Sequence, residues 1–496
     1  MIRCLIAAVC LLAPTIALAD DWPMGGRTAS RNPVSLEKNP PTDWEAGDDN
    51  TKPRNVKWSA KVGRQSMGGP VVANGLVWVG TNNQNPLDPK IEGDYAVLAC
   101  FREKDGKFLY QYLSPRIENA EISLDWPLQG ISGCPLVDKN RIFFCTNRGE
   151  LVCLDIGALQ ENGGKPNVVW KLDMRTEFGV FPRKQMIPGH DSFGSPASYK
   201  EFLYVPTGNG VGEDGKTVVA PDAPSLICVR KDTGKVVWKD SSPGKGLLFG
   251  QYASPLAVEI DGKCQVIAPQ GDGWVRSFEA ETGKLLWKFD SNRKGVPWNY
   301  GQRQDGNDTK VYVLATPVYA EGRVFFAAGI YPEAIGEQGR LFCVNPTKRG
   351  DISIELEDDG TGKGKPSPNS GLVWEFAGDP KNDKECMHLT LSSVAVHRGL
   401  VVATDRQGVI HCLDSKTGQR HWMHFSNDSF RGNPLIIDET IYVVDNSGEV
   451  SILQLSKNKK IIGKLVTGLA MYASPVFANG TLYLLTDSHL YAIGGK

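Results

Sequence analysis

Lys231 to Trp238 reads KDTGKVVW, Glu279 to Trp287 reads EAETGKLLW, and Ser415 to Trp422 reads SKTGQRHW. Each phrase is a polar turn around a glycine followed by a strand that ends on tryptophan. It returns at a spacing of roughly 40 to 60 residues, the mark of a repeat architecture. Aligned on the turn glycine, the aromatic residue falls at a constant offset: Gly106 leads to Tyr110, Gly234 to Trp238, Gly283 to Trp287 and Gly418 to Trp422. Looser copies with insertions in the turn end on Trp170 and Trp374, and a further copy, ILQLSKNKKII, places Ile462 at the aromatic position.

Upstream of each phrase stands a second hairpin, opened by a small residue, usually followed by proline. The series is GGPVVANGLVWVGT from Gly68, SGCPLVDKNRIFFCT from Ser132, FGSPASYKEFLYVPT from Phe193, YASPLAVEIDGKCQVIAPQ from Tyr252, ATPVYAEGRVFFAAG from Ala315, LSSVAVHRGLVVAT from Leu391, RGNPLIIDETIYVVD from Arg431 and YASPVFANGTLYLLT from Tyr472. Eight inner hairpins imply eight units, each of four short strands bounded by Gly, Asn and Asp turns. Antiparallel four-stranded units arranged radially make a propeller, so the expected fold is all-β, a single eight-bladed β-propeller. The last unit has three strands before the chain stops at Lys496, and NVKWSAKVG near the N-terminus, with Trp58 at the aromatic position, supplies the fourth. Closure by both termini removes an open sheet edge.

Residues 55–496 thus form one domain, preceded by an extension over 20–54 and a secretory signal over 1–19. Arg3 gives the signal its positive start, Leu5 to Leu12 its apolar stretch, and Ala17-Leu18-Ala19 its cleavage site, with cleavage expected after Ala19. The apolar stretch falls short of the about 20 residues a spanning helix needs, so export without a transmembrane segment is expected, to the periplasm or beyond. Cys10 lies within that stretch and follows Val9, which argues against a lipid anchor there.

Nine cysteines remain after the signal. Cys100, Cys153, Cys228, Cys343 and Cys412 occupy equivalent places in five repeats, too far apart to bridge, and read as small buried hydrophobes. Cys134 and Cys145 face each other across one hairpin turn, so they stand either as a cross-strand disulfide or as two buried thiols. Cys264 and Cys386 show no partner.

A net charge of −1 with evenly spread Lys and Arg lacks the basic footprint of a nucleic-acid binder. The seven histidines form neither HExxH nor a CxxC-plus-His set, so no metal site is expected, and the absence of CxxCH argues against an attached haem. GNGVGEDG from Gly208 opens no helix and reads as a loop. The insertion TKRGDISIELEDDGTGKGKPSPNSG from Thr347 reads as an exposed, mobile excursion.

The Trp-ended strands with TGK turns resemble the PQQ-like β-propeller repeat superfamily, which holds the pyrroloquinoline-quinone-dependent dehydrogenases and the BamB-like assembly proteins. DWPMGG and PTKRGDIS also resemble a group of exported PQQ-like repeat proteins. The resemblance implies that Trp58, Tyr110, Trp170, Trp238, Trp287, Trp374 and Trp422 dock one blade on the next. It admits pyrroloquinoline quinone and Ca²⁺ as cofactors. The quinone enzymes use a Cys-Cys pair and an Asp base; this chain has no adjacent cysteines and no carboxylate that matches the base.

Function is therefore read from loops. Turns joining strands one to two and three to four emerge on one face and are mostly tight, whereas most long insertions emerge on the other. The long loops carry Asp125, Trp126, Arg183, His190, Asp191, Trp298, Asn299, Tyr300, Arg303 and Asp305, a mixture of aromatics and charges suited to a partner's peptide or a planar ligand. The expected function is a non-catalytic, monomeric binding or scaffold protein, with a quinone-dependent oxidoreductase as the alternative.

Overall fold

The computed structural model describes residues 20–47, 51–64, 66–118, 127–182, 194–248, 250–292, 311–329, 339–356, 364–379, 382 and 384–494. Eight four-stranded antiparallel sheets run around a central axis, each with its strands ordered from inside to outside. Blade 1 comprises Val71–Ala73, Leu76–Asn82, Tyr95–Arg102 and Phe108–Pro115. Blades 2 to 7 span 136–173, 197–240, 256–290, 318–376, 395–425 and 435–466. Blade 8 takes Val476–Ala478, Thr481–Leu485 and His489–Ile493 from the C-terminal end, and its outer strand, Val56–Lys61, from the N-terminal side. That outer strand pairs antiparallel with Trp58 opposite Ala492 and Ser59 opposite Tyr491.

The first hairpin of each blade is tight because its turn residues accept left-handed backbone. Asn74-Gly75, Asp261-Gly262, Glu321-Gly322, Arg398-Gly399 and Asn479-Gly480 all have positive φ at both positions, the mirror-image turn whose twist matches two paired strands.

The repeated phrase holds both halves of the joint between blades. The indole N–H of Trp58 donates to Glu103 O at 2.8 Å, Trp170 to Lys231 O at 3.0 Å, Trp238 to Ala280 O at 2.9 Å, Trp374 to Ser415 O at 2.9 Å and Trp422 to Ser456 O at 2.8 Å, in each case in the following blade. Each indole but the last also lies over that blade's turn glycine: a Cβ on Gly106, Gly234, Gly283 or Gly418 would come within 2.5 to 2.7 Å of the ring. The glycine of TGK is the socket for the preceding Trp. Cys100, Cys153, Cys228, Cys343 and Cys412 sit directly across from Tyr110, Trp170, Trp238, Trp374 and Trp422 on the neighbouring strand. Burial pushes the Cys228, Cys343 and Cys412 thiols up to about 12.

Two aromatics depart from this arrangement. Tyr110 meets Trp78 of its own blade edge-on, with centroids 6.5 Å apart. Trp287 is fully buried and donates to Gln265 Oε1 at 2.9 Å within its own blade; Gln265 Nε2 in turn donates to Pro346 O of the next blade at 3.4 Å. The reason is the insertion after Pro346. Its Gly350–Asp351 segment adds as a fifth, parallel strand beside Trp287 and Lys288, and Ile352 is buried in the core between the blades. The start of the insertion is therefore built into blade 4, contrary to its reading as a free excursion. Packing of Ile352 and ladder hydrogen bonds outweigh its polar composition.

These contacts separate two turn glycines experimentally. Gly350 has φ +77° with nothing within 4 Å of an added Cβ, so Gly350→Ala should cost about 1 kcal/mol of backbone strain. Gly234 has φ +70° and Trp170 at 2.7 Å, so Gly234→Ala must also displace the indole and should cost about 3 kcal/mol. Denaturant midpoints of the two variants would test this; equal losses would contradict the socket.

Candidate functional site at the channel mouth

The innermost strands turn their free edges toward the axis, and unpaired backbone groups there are costly when buried. The extension over 20–47 satisfies many of them. Trp22 exchanges both backbone hydrogen bonds with Val72 of blade 1, and Pro23 O accepts from Val137 N of blade 2. Ala29 O and Ser30 O accept from Ala257 and Tyr319 of blades 4 and 5. The Asn32 side-chain amide bonds Val396 N and O of blade 6 at 2.9 and 2.8 Å. Val34–Ser35 pairs parallel with blade 7, and Glu37 accepts from Gly480 N of blade 8. Asp21 accepts from Asn74 and Asn479, residues of the first-hairpin turns, which places this strap at the tight-turn end of the channel.

Arg31 anchors the strap to blades 3 and 4. Only 2% exposed, it donates from Nε to Pro255 O (3.1 Å), from Nη1 to Gly25 O (2.8 Å), and from Nη2 to Ser195 O (3.0 Å) and Pro196 O (2.8 Å). Desolvation brings its pKa down to about 10, opposed by nearby Cys134. Arg31→Met should cost about 2 to 3 kcal/mol through carbonyls left without donors. Arg31→Lys should not restore the loss, because an ammonium cannot match the planar fork. Thermal melts of the two variants would check this, and a Lys variant of parental stability would exclude the fork geometry.

Above the strap, on the long-loop side, the small residue that opens each inner strand does structural work. Cys134 N donates to Ser195 Oγ (2.9 Å), Ser195 N to Ser254 Oγ (2.8 Å) and Ser254 N to Thr316 Oγ1 (3.0 Å). On the other side of the ring, Ser393 N donates to Asn433 Oδ1 (2.7 Å) and Asn433 N to Ser474 Oγ (2.9 Å). The hydroxyl or amide before the proline thus links each of these blades to the one before it. Cys134 and Cys145 are thiols, with Cys134 Sγ donating to Gly69 O at 3.4 Å. Burial pushes the Cys134 thiol up, and Arg31 partly offsets the shift.

This ring encloses a cavity of about 210 Å³. Its wall carries Met67, Ser132, Tyr252, Leu314, Leu391, Arg431 and Tyr472, each three residues before the proline, or the valine of blade 6, that starts an inner strand. Arg431 is the cavity's one charged lining residue among those described, and its guanidinium lies 5.0 Å from the Tyr472 ring centroid. Burial, reinforced by Arg406 nearby, lowers its pKa to about 10. A Ca²⁺-held quinone needs carboxylate and amide oxygens on the metal. Among the described residues no carboxylate lines the cavity.

The loop residues expected to bind, Asp125, Trp126, Arg183, His190, Asp191, Trp298, Asn299, Tyr300, Arg303 and Asp305, all lie outside the described residues. So does the secretory signal. Among the described residues no helix is long and apolar enough to cross a membrane. The strap was not legible as such; DWPMGG marked its start without revealing its path.

The chain matches the model of the outer membrane protein assembly factor BamB over residues 155–297 and 367–460. It is 27% identical over 296 residues to the outer membrane protein assembly factor BamB of Burkholderia pseudomallei, covering 56% of this chain and 71% of that one. Among solved structures, BamB of Moraxella catarrhalis superposes with a TM-score of 0.54 at 15% identity, covering 88% of this chain and 98% of that one. Quinohemoprotein alcohol dehydrogenase of Comamonas testosteroni does so with a TM-score of 0.57 at 13% identity, covering 96% of this chain and 81% of that one. Repeat phrase, eight-bladed ring and these matches support a PQQ-like β-propeller, similar to the BamB-like proteins and the quinoproteins.

Proposed function

We propose that the protein is an exported, non-catalytic binding or scaffold propeller that engages a protein partner or small ligand through the long-loop face around the channel mouth. The observation that carries this reading is the asymmetry of the axis. One end is bound by a strap hydrogen-bonded to every blade, while the ring residues lie toward the other, the end at which the long loops are expected to emerge. Similarity to an assembly factor supports a partner-binding role. That no carboxylate stands among the described lining residues favours this reading over the quinone alternative, for which the dehydrogenase similarity supports the fold alone.

Aromatic and Arg residues dominate interfaces when central and desolvated. Trp126→Ala, Trp298→Ala and Arg303→Ala should each weaken capture of the partner from the native host's envelope while leaving the thermal midpoint within a few degrees. Loss of folding in all three would contradict the reading. Calorimetric titration with pyrroloquinoline quinone and Ca²⁺ should show no saturable binding; stoichiometric quinone in protein from the native host, with alcohol-dependent dye reduction, would overturn it in favour of the enzyme.

A further inference from the structure

Blade 6 carries a buried chain of groups that the propeller itself does not require. The turn between its second and third strands begins with Asp405, whose Oδ1 accepts Gln407 N and Val409 N at 3.0 Å each. Blade 7 builds the same turn on Asp445, which likewise accepts Ser447 N and Glu449 N, with its second oxygen taking the Ser426 hydroxyl. Blade 2 manages with Thr146. The turn therefore needs one acceptor oxygen and no histidine.

Asp405 Oδ2 nevertheless faces two imidazoles, His388 Nδ1 at 3.1 Å and His411 Nε2 at 3.2 Å, and His388 Nε2 lies 3.3 Å from Cys386 Sγ. Cys386, Asp405 and His411 are fully buried and His388 is 2% exposed. These imidazoles hold the Asp405 carboxyl far below its ordinary range despite its burial. An ionised carboxylate only accepts, so His388 Nδ1 and His411 Nε2 both carry protons. In the neutral form of His388 the remaining nitrogen, Nε2, presents its lone pair to the thiol.

A nucleophile within hydrogen-bond reach of a base that a third group orients is the arrangement that activates thiols. Moving the proton from Sγ to Nε2 leaves the net charge of the buried cluster unchanged, so burial does not forbid the thiolate as it does for an isolated cysteine. We propose that Cys386 is a base-activated thiol, with His388 as its base and Asp405 as the positioning residue, that reacts with small hydroperoxides. In that reaction the sulfur attacks one peroxide oxygen; an S–O bond forms and the O–O bond breaks. The leaving hydroxide takes the proton held on His388 Nε2, giving a sulfenic acid and water. The sulfur loses two electrons and the peroxide gains them. A small reagent is specified because Cys386 is fully buried, although its chain neighbour Glu385, held by Arg420, is only half-buried.

The test uses the intact protein, hydrogen peroxide and a sulfenic-acid trap, with labelling at each cysteine read by mass spectrometry. Cys386 should label at least tenfold faster than Cys343 and Cys412, which are equally buried but have no base. Equal rates in the parent protein would overturn the proposal without any variant. His388→Gln should lower the Cys386 rate at least tenfold while Cys412 is unchanged, and an unchanged Cys386 rate in folded His388→Gln would remove the base. The pH profile adds a separate readout. Among the described residues the titratable and charged groups around the thiol include His388, and behind it Asp405 and His411, with its chain neighbour Glu385 paired to Arg420. The parent rate should stay flat from neutral pH upward, whereas in His388→Gln it should climb steeply with pH.

Discussion

Removing residues 482–496 should abolish cooperative unfolding at the parental temperature. The deletion takes most of Thr481–Leu485 and all of His489–Ile493, and leaves the outer strand Val56–Lys61 with nothing to pair against. It also strips Leu482, Tyr483, Leu484, Leu485, Leu490, Tyr491, Ala492 and Ile493 from the core. At roughly 1.5 to 3 kcal/mol for each large apolar side chain, the loss is on the order of 10 kcal/mol, comparable with the whole stability of an ordinary domain. Apolar faces uncovered on blades 1 and 7, and the edges left unpaired on Val476–Ala478 and Val56–Lys61, would also invite association. Calorimetry and circular dichroism of the truncated chain should show no sharp transition and a raised aggregated fraction. A cooperative melt at the parental temperature would mean that the ring is not closed through blade 8.

Trp287→Ala should be the most damaging of the single aromatic truncations, at about 3 to 5 kcal/mol. Its ring has no exposure, whereas Trp58 and Trp238 are each 9% exposed. It packs under the added strand Gly350–Asp351 and bonds Gln265, which reaches the next blade. Truncation would leave a large void and loosen that relay at once. Trp287→Phe keeps most of the volume and loses the N–H, so it should cost about 1 kcal/mol plus a smaller packing loss. Urea midpoints should therefore rank parent, Phe, Ala with a wide second interval. An Ala variant no worse than Phe would show that the indole is not the joint between blades 4 and 5.

The departures at Trp287 and Tyr110 show where a repeat pattern stops informing. Aligning turn glycines located both aromatics, yet their partners depend on what the next blade places opposite them. Blade 5 replaces the TGK socket with PTKRGDIS, and the indole turns to its own blade. No property of EAETGKLLW itself announces this. The insertion's polar composition pointed outward, while Ile352 and two ladder residues tie it inward.

By itself the sequence determined the eight units, their four strands, the seam at Trp58 and the family of buried cysteines. Each of these follows from contacts between neighbours in the chain or between adjacent copies, and such contacts recur with the repeat. Tertiary structure alone decided the path of residues 20–37, because much of the strap binds through backbone groups that every sequence possesses, to strands as distant as that of Ile436. It alone gave Arg31 its carbonyls in blades 3 and 4. The Cys386–His388 spacing puts both side chains on one side of an extended segment, a signal present in the sequence. Asp405, just past the second strand of blade 6, and His411, inside its third, complete it, and only folding brings a carboxylate and a second imidazole to that thiol.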